Sequence, residues 1–360
     1  MHPHEIVEAA AEAIRPPDLE ARESARGLQS RLTKPAGSLG RLEELAVWAA
    51  GVCRAPVPGF DRKLIVVAAA DHGVAEDGVS AYPQDVTWQM VANFLAGGAA
   101  VNALAAHAGA VVRVVDAGVR RDHADPRLHV AKLRGGTSNM TLGPAMSRDE
   151  ATAMVARGIE FARSACDGGR TVIALGDMGI GNTTAAAAIT SVLAAAPPRV
   201  TTGRGTGIGD EAYAAKLRAV ERAIEVNTPD AADAIDVLSK VGGFEIAFLA
   251  GVTLGAAAAG APVVLDGYPT TAAALVAAGI APGAIDYLLA SHQSVEPGHR
   301  VALGHLGLRP LLDLEMRLGE GSGAALALTL LDAALRIPRE MATFESAGVS
   351  RSAGETPPEA

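Results

Sequence analysis

Residues 316–324 (MRLGEGSGA) combine residue types that suit proton transfer next to an anion. Glu320 lies between two glycines, and Arg317 precedes it by three positions. Glycines let a backbone approach a ligand closely, and Ser322 is a suitable N-cap for the apolar helical pattern that follows. A carboxylate, a cation and free backbone N–H groups at a helix start predict a site for an anionic substrate and a proton. The alternative interpretation is a glycine-rich turn with a solvated carboxylate.

A second glycine-rich stretch, residues 176–189 (GDMGIGNTTAAAAI), follows an apolar strand pattern and opens a helical one. No Lys follows its last glycine and its spacing does not match GxGxxG, so neither a Walker loop nor a dinucleotide fingerprint is indicated. Strand-to-helix context predicts a cradle for a monophosphate, with Asp177 facing the crevice, although a tight packing turn has the same pattern. The candidate phosphate-binding residues are Gly176, Gly179, Gly181, Asn182 and Thr183.

Two more stretches are candidates for binding. Residues 202–209 (TGRGTGIG) form a glycine loop containing Gly203, and Lys216 in the helix that follows could complete an anion site. Residues 78–90 (GVSAYPQDVTWQM) carry Ser80, Tyr82 and Gln89 after a strand end, a mixture that suits a flat heterocycle. The alternatives are a solvated lysine and a surface loop with an aromatic anchor.

Composition excludes several functional classes. A net charge of −9, a pI near 5.5 and 3% aromatic residues argue against a nucleic-acid surface. The two cysteines are 113 positions apart with no CxxC, and the histidines match no metal-binding spacing, so we expect a cytoplasmic protein without metal or cofactor. Residues 246–265 are uncharged, but Pro262 divides them into a helix-like and a strand-like half, so we expect no membrane span.

Short apolar runs must position these candidates. They occupy residues 64–70, 110–115, 171–175, 262–265 and 285–290, and each ends in a polar or glycine-rich turn. Strand patterns alternating with Ala-rich helical patterns predict an α/β fold with a doubly wound, mostly parallel, Rossmann-like sheet flanked by helices. Ligands of such sheets bind beyond the carboxyl ends of the strands, so all five turns should face one crevice.

The predicted sheet occupies only part of the chain. Residues 1–60 contain three helical patterns without a strand and form the N-terminal part of a small helical domain. Residues 61–325 form the large catalytic domain, and residues 326–346 return to the N-terminal helices to complete the small domain. The Gly-, Ser-, Pro- and Glu-rich tail, residues 347–360, is expected to be disordered.

Together, nine segments spanning roughly residues 5–340 resemble the nicotinate-nucleotide:dimethylbenzimidazole phosphoribosyltransferase family, which activates the lower ligand of cobalamin. The segments are KPAGSLGRLE (34–43), ADHGVAEDGVSAYPQDVTWQMVANFLAGGAAVN (70–102), GTSNMT (136–141), LGDMGIGNTT (175–184), GRGTGIGDE (203–211), VGGFEIAFLAG (241–251), DGYPTTAAAL (266–275), SHQSVEPGHR (291–300) and LEMRLGEGSGAALAL (314–328).

The resemblance implies a homodimer that transfers ribose 5-phosphate from nicotinate mononucleotide to 5,6-dimethylbenzimidazole, with inversion at the anomeric carbon and without a cofactor. Glu320 matches the family's general base, and the loop that begins at Gly176 matches its phosphate cradle. Lys216, Ser291 and Arg317 match positions near the nucleotide. The positions of the expected benzimidazole pocket are Ser80, Tyr82 and Gln89.

One departure concerns Asp177, because the family pattern often has Glu at that position. The shorter carboxylate puts its catalytic role in question, since it would act from farther back or through water. Two other functions remain open from the residues alone. They are a metal-dependent phosphoribosyltransferase or sugar-phosphate enzyme, and a non-catalytic sensor of nicotinate mononucleotide.

Overall fold

Six parallel strands form the central sheet in the computed structural model, which describes residues 1–350. The strands are β1 (Arg62–Ala70), β2 (Val111–Gly118), β3 (His129–Val130), β4 (Thr171–Met178), β5 (Val263–Leu265) and β6 (Leu288–Ala290). Their order is β3-β2-β1-β4-β5-β6, and every neighbouring pair is parallel. The order reverses direction at β1 and β4, which is where a doubly wound sheet opens a crevice for a ligand. The predicted fold class is confirmed.

Helices cover both faces of the sheet. They are α1 (Pro3–Ala13), α2 (Leu19–Arg31), α3 (Arg41–Cys53), α4 (Asp85–Ala96), α5 (Ala100–Ala108), α6 (Arg148–Cys166), α7 (Asn182–Leu193), α8 (Pro198–Thr201), α9 (Asp210–Asn227), α10 (Ala234–Val241), α11 (Phe244–Ala258), α12 (Tyr268–Ile280), α13 (Pro297–Leu306), α14 (Ser322–Glu340) and α15 (Phe344–Ala347). Short 3-10 turns occupy Gly73–Asp77 and Pro282–Tyr287.

Strand β1 shows why the apolar runs form a buried sheet. Its side chains alternate between two hydrophobic cores, with Val66 in one core and Val67 in the other, and both are fully buried. A strand with helices on both faces has no polar side, so its sequence is a continuous apolar run. The alternation places one core on each face of the sheet.

The strand predictions differ from the structure in two places. Strand β3 was not predicted, because it has only two residues and both are exposed. Residues 285–290 were predicted as one strand, but Pro282–Tyr287 form a 3-10 turn and only Leu288–Ala290 are extended. Proline at the start of that turn favours it over a strand.

The uncharged stretch 246–265 is divided before Pro262, as predicted, into a helical part, which is most of α11, and strand β5. Helix α11 is buried and packs against α6 so closely that a β-carbon on Gly158 or Gly251 would collide with the backbone of the opposite helix. A different stretch, Asp85–Ala108, is long and apolar enough to cross a membrane by composition alone. It consists of α4 and α5, which are separated by a turn at residues 97–99.

The C-terminal segment returns to the N-terminal helices. Helix α14 contacts α3 and α2, and Thr33 donates its backbone N–H to Ala342 at 3.0 Å. Residues 325 and 326, where the sequence suggests a domain boundary, lie inside α14 without a break. The tail predicted to be disordered is residues 347–360. Its first residue, Ala347, is the last residue of α15, and residues 351–360 lie outside the described residues.

Candidate active site

A cavity of about 390 Å³ lies beyond the carboxyl ends of β1, β4, β5 and β6. Its lining residues are Val79, Ser80, Tyr82, Val86, Met90, Asp177, Met178, Gly179, Ile180, Gly181, Asn182, Thr183, Gly205, Thr206, Gly267, Tyr268, Pro269, His292, Ser294, Glu296, Arg317, Leu318, Gly319 and Glu320. Three of the five predicted turns, those that begin at Gly176, Asp266 and Ser291, therefore supply residues to one crevice. The turn at Asp71 does not line it, although Val79 and Ser80 farther along the same segment do. The turn at Asp116 is also outside it: Asp116 accepts the N–H groups of Gly118 and Val119 and pairs with Lys132.

Glu320 lies in an unusual backbone segment at the rim of this cavity. Gly319, Glu320 and Gly321 have φ angles of 82°, 64° and 86°, three left-handed residues in succession. The side chain of Glu320 is 6% exposed, and its backbone N–H donates to the carbonyl oxygen of Asp177 at 3.2 Å. Burial raises the pKa of the Glu320 carboxyl. This shift suits a group that must accept a proton near neutral pH.

The helix start after Glu320 is capped differently from the sequence prediction. Ser322 is the first residue of α14, and its hydroxyl donates to Gly319 O at 2.8 Å instead of accepting a backbone N–H. The N–H groups of Gly321, Gly323 and Ala324 are accepted by the buried carboxylate of Asp266, at 3.0, 2.7 and 3.1 Å. Asp266 lies more than fifty positions earlier, so no local pattern could reveal this cap.

Asp177 faces the same cavity from the end of β4. One carboxylate oxygen accepts the side-chain N–H of Asn182 at 2.8 Å, and the other is buried without a hydrogen-bond partner among residues 1–350. Burial, together with the carboxylates of Asp266, Glu245 and Glu320, raises the pKa of Asp177 well above its usual range. A carboxylate with an unpaired oxygen in a negative surrounding has a strong preference for a cationic neighbour.

The glycine loop after β4 lines one wall of the cavity through Gly179, Gly181 and Asn182. Helix α7 begins at Asn182, directly after Gly181, whose φ of 99° requires glycine. The backbone N–H groups of Asn182 and Thr184 donate to Gly179 O and Gly181 O at 3.0 and 2.9 Å, and the aligned peptide dipoles of the helix give this wall a partial positive charge. Gly176 lies deeper, packed against the backbone of Glu320, and does not line the cavity.

Three predicted elements of the phosphate site meet around Thr183. Lys216 is buried, and its Nζ donates to the Thr183 hydroxyl at 2.8 Å. A β-carbon on Gly205 would lie 2.9 Å from the Thr183 hydroxyl and 3.0 Å from Lys216 Nζ, and Arg317 donates to the carbonyl oxygen of Gly205 at 3.2 Å. Burial lowers the pKa of Lys216 to about 8, and the nearby carboxylate of Glu296 opposes this decrease. A cation of this kind gains charge stabilisation when an anion enters.

Other predicted residues lie farther from the cavity. Gly203 is buried against Glu296 and lines an adjoining cavity of about 550 Å³. Ser291 is fully buried, and its hydroxyl contacts His292 at 3.0 Å and the backbone of Asp266 at 3.3 Å. Gln89 is exposed on α4 and does not line the cavity.

The wall near α4 is apolar. Val86 and Met90, which are one helical turn apart on α4, line the cavity together with Ser80 and the 54%-exposed Tyr82. Sequence reasoning missed Val86 and Met90 because it searched this stretch for polar and aromatic residues. Their spacing of four positions on a helix was the available signal.

Three buried histidines, His72, His292 and His299, lie in different environments. His292 lines the cavity. His72 lies beneath the glycine loop, where its Nε2 is 2.7 Å from the carboxylate of Glu245, and both groups are fully buried. His299 is also buried between Ser294 and Thr271, and burial lowers its pKa to about 3. His72 and His299 thus connect segments of the fold.

Comparison with known proteins agrees with this architecture. A phosphoribosyltransferase family model matches residues 14–349. A nicotinate-nucleotide–dimethylbenzimidazole phosphoribosyltransferase from Desulforudis audaxviator is 52% identical over 97% of this chain and 99% of its own length. One from Geobacter sulfurreducens is 51% identical over 96% of this chain and 98% of its own. The crystal structure of the Thermus thermophilus enzyme superposes with a TM-score of 0.88, at 50% identity, over 93% of this chain and 100% of that one. The chain therefore belongs to the nicotinate-nucleotide–dimethylbenzimidazole phosphoribosyltransferase family.

Proposed function

We propose that the protein transfers ribose 5-phosphate from nicotinate mononucleotide to 5,6-dimethylbenzimidazole, giving α-ribazole 5′-phosphate and nicotinate in cobalamin biosynthesis. The membership of the family supports this activity. The observation that carries it is the convergence in one cavity of a buried carboxylate, Glu320, and a strand-to-helix glycine loop with Lys216 beside it. That combination matches a substrate that brings a phosphate and an acceptor that must lose a proton.

The donor side of the reaction needs stabilisation of positive charge. The pyridinium ring of the donor leaves as the neutral pyridine ring of nicotinate, so no diphosphate leaving group has to be neutralised. Positive charge spreads onto the ribose as the glycosidic bond loosens. In our proposal the carboxylates of Asp177 and Glu320 face this charge, and their unfavourable mutual proximity is relieved when it develops.

The acceptor side of the reaction needs a base. A ring nitrogen of the benzimidazole attacks the anomeric carbon from the face opposite the leaving group, which inverts the configuration. The other ring nitrogen then carries an acidic N–H, and Glu320 takes that proton late in the step. Because burial raises the pKa of Glu320, its carboxylate is a better proton acceptor than an exposed glutamate.

Two walls of the cavity suit the two substrates. We assign the phosphate to the wall formed by Gly179, Gly181 and Thr183, where a helix begins and the buried cation of Lys216 lies directly behind the Thr183 hydroxyl. We assign the acceptor base to the wall formed by Ser80, Tyr82, Val86 and Met90, because apolar side chains with a few polar groups suit a flat heterocycle. We propose that four further residues surround the nucleotide: Asn182, Gly203, Ser291 and Arg317.

We also propose a homodimer that uses the surface of α4 and α5. The most apolar 18 residues of Asp85–Ala108 have a mean hydropathy of 1.2, yet only 28% of them are buried within one chain. A second copy would cover this apolar surface, which adjoins the acceptor wall.

We also propose a division into a large domain, residues 61–325, and a small domain formed by both ends of the chain. A cytoplasmic location is proposed as well, and the free thiols of Cys53 and Cys166 agree with it.

Incubation of the purified protein with nicotinate mononucleotide and a panel of bases tests this function directly. We expect release of nicotinate and a product with the mass of α-ribazole 5′-phosphate when dimethylbenzimidazole is present, with or without EDTA. Loss of activity with EDTA would favour a metal-dependent phosphoribosyltransferase instead. Binding of the nucleotide without nicotinate release for any base would favour a sensor.

A further inference from the structure

The backbone around Glu320 is held in a conformation that glutamate disfavours. Glu320 is the non-glycine member of three successive left-handed residues, with a φ of 64°. For a residue with a β-carbon, this conformation costs about 1–2 kcal/mol relative to the right-handed one. It persists only where surrounding contacts hold it. The side chain of Glu320 therefore points into the cavity only as long as the segment 319–321 is restrained.

Asp266 supplies that restraint from the end of β5. Its two carboxylate oxygens accept three backbone N–H groups, from Gly321 on one side of the turn and from Gly323 and Ala324 on the other. The side chain is 1% exposed and does not line the cavity. Its own backbone N–H donates to the Thr270 hydroxyl at 3.0 Å, which ties the residue after β5 to the first turn of α12.

We propose that Asp266 is a positioning residue for the reaction, which acts on the substrates only through Glu320 by holding the left-handed segment that orients this carboxylate. The inference rests on the proposed role of Glu320 as the base. It differs from an ordinary helix cap because the first capped group, the N–H of Gly321, belongs to the left-handed segment itself. A change in the charge or in the acceptor geometry of Asp266 is thereby transmitted directly to Glu320.

The charges around Asp266 give this role a pH dependence. Groups from several elements face it: Asp177 from β4, His292 after β6 at 3.9 Å, and Glu320 across the turn. Glu245 of α11 adds its charge to the same cluster through Asp177. Burial raises the pKa of Asp266 to about 7 against the opposing effect of its three N–H bonds, and the neighbouring Glu320 carboxylate adds to the rise. Protonation below that pH removes charge from the acceptor of all three N–H groups.

The variant Asp266→Asn tests the proposal, since its amide keeps the size of the side chain but turns a donor toward one of the three N–H groups. We expect kcat to fall by about 10- to 100-fold while the KM for nicotinate mononucleotide stays within about threefold. The acid limb of the kcat profile should lose its component near pH 7, because the carboxylate that takes up that proton is gone. In a Glu320→Gln background the same change should cost less than about threefold, since its effect passes through Glu320.

Asp116→Asn is the matched control, because Asp116 is equally buried and also accepts backbone N–H groups of its turn, but lies outside the cavity. It should lower thermal stability, because it weakens both the turn bonds and the ion pair with Lys132, while leaving kcat and the pH profile unchanged. If Asp266→Asn does not fold, Asp266→Ser supplies the same comparison, since its hydroxyl can accept one N–H bond.

Three results would decide against the role of Asp266. They are an unchanged kcat, an equal loss of nucleotide binding and kcat, and an undiminished effect in the Glu320→Gln background. A Glu320→Gln enzyme that retains its kcat would instead overturn the assignment of the base. The two failures are distinguishable because the single variants are measured separately.

Discussion

A methyl group on the α-carbon of Gly176 would lie 2.6 Å from the carbonyl oxygen of Glu320. The end of β4, which carries Asp177, and the loop that carries Glu320 are thus packed backbone against backbone. A side chain at position 176 cannot be accommodated there without displacing one of the two carboxylates. Asp177 and Glu320 can lie this close together because Gly176 has no β-carbon. Gly176 itself contacts no substrate in our proposal.

Gly176→Ala should therefore lower kcat more than it raises the KM for nicotinate mononucleotide. A displacement of about 1 Å at a reacting group can cost up to 10²-fold in rate, and we expect a loss of at least tenfold. Steady-state kinetics measure it. Gly143→Ala is the control, because a β-carbon there meets no atom within 4 Å. Equal kcat values for the two variants would contradict the predicted displacement.

Replacement of the proposed base, Glu320→Gln, should lower kcat by about 10² to 10⁴-fold while nucleotide binding stays nearly intact. Burial raises the pKa of Glu320, and only the ionised form accepts a proton, so the wild-type rate should fall as the pH becomes mildly acidic. An acceptor base with no N–H to lose should depend less on Glu320. If both kinds of acceptor lose the same factor, Glu320 stabilises charge and does not abstract a proton.

Asp177→Asn should stabilise the protein, more at about pH 8 than at about pH 5. The pKa of Asp177 is raised in the folded state, so the unfolded chain loses this proton first as the pH rises, and the wild-type protein loses stability over that range. The amide oxygen can still accept the bond from Asn182, and the side chain no longer carries a charge that burial and the surrounding carboxylates oppose. Thermal unfolding at both pH values measures the difference. A variant less stable than the wild type at pH 8 would be evidence against the repulsion.

Lys216→Met should raise the KM for nicotinate mononucleotide by about 10- to 100-fold, the worth of a charged hydrogen bond to phosphate. The pKa of Lys216 in the free protein is lowered to about 8, so wild-type kcat/KM should decline as the pH rises through that value. The variant should lack this decline. Arg222→Met, on the exposed face of the same helix, should behave like the wild type. A wild-type profile that is flat around pH 8 would remove Lys216 from the phosphate site.

The acceptor pocket can be tested by comparing neighbours on α4. Met90→Ala should raise the KM for dimethylbenzimidazole by several-fold and leave the KM for the nucleotide unchanged, because the Met90 side chain lines the cavity. Gln89→Ala should have a smaller effect, since Gln89 is exposed in the single chain. A larger effect of Gln89→Ala would favour the sequence-based prediction that Gln89 borders the base, and would require α4 to present it differently in the working enzyme.

Local patterns predicted the elements that depend on local physics. The apolar runs identified five of the strands because strands buried on both faces carry no polar residues, and glycines beside Glu320 and in the loop at Gly176 indicated close backbone approach. Local patterns did not predict contacts between segments that are distant in sequence. Asp266 after β5 caps α14, Gly205 lies beside Lys216 and Thr183, and Met90 lines the cavity. Each of these contacts forms only when the parallel strands are aligned.

Helix α14 starts two residues after Glu320 and continues without a break to Glu340, a length of about 28 Å. Its far end packs beside α3 and continues to the strand-like contact between Leu32 and Thr343. The segment that carries Glu320 and the segment that joins the two chain ends are therefore the two ends of one helix. Packing at the chain ends and the position of the proposed base share a single structural element.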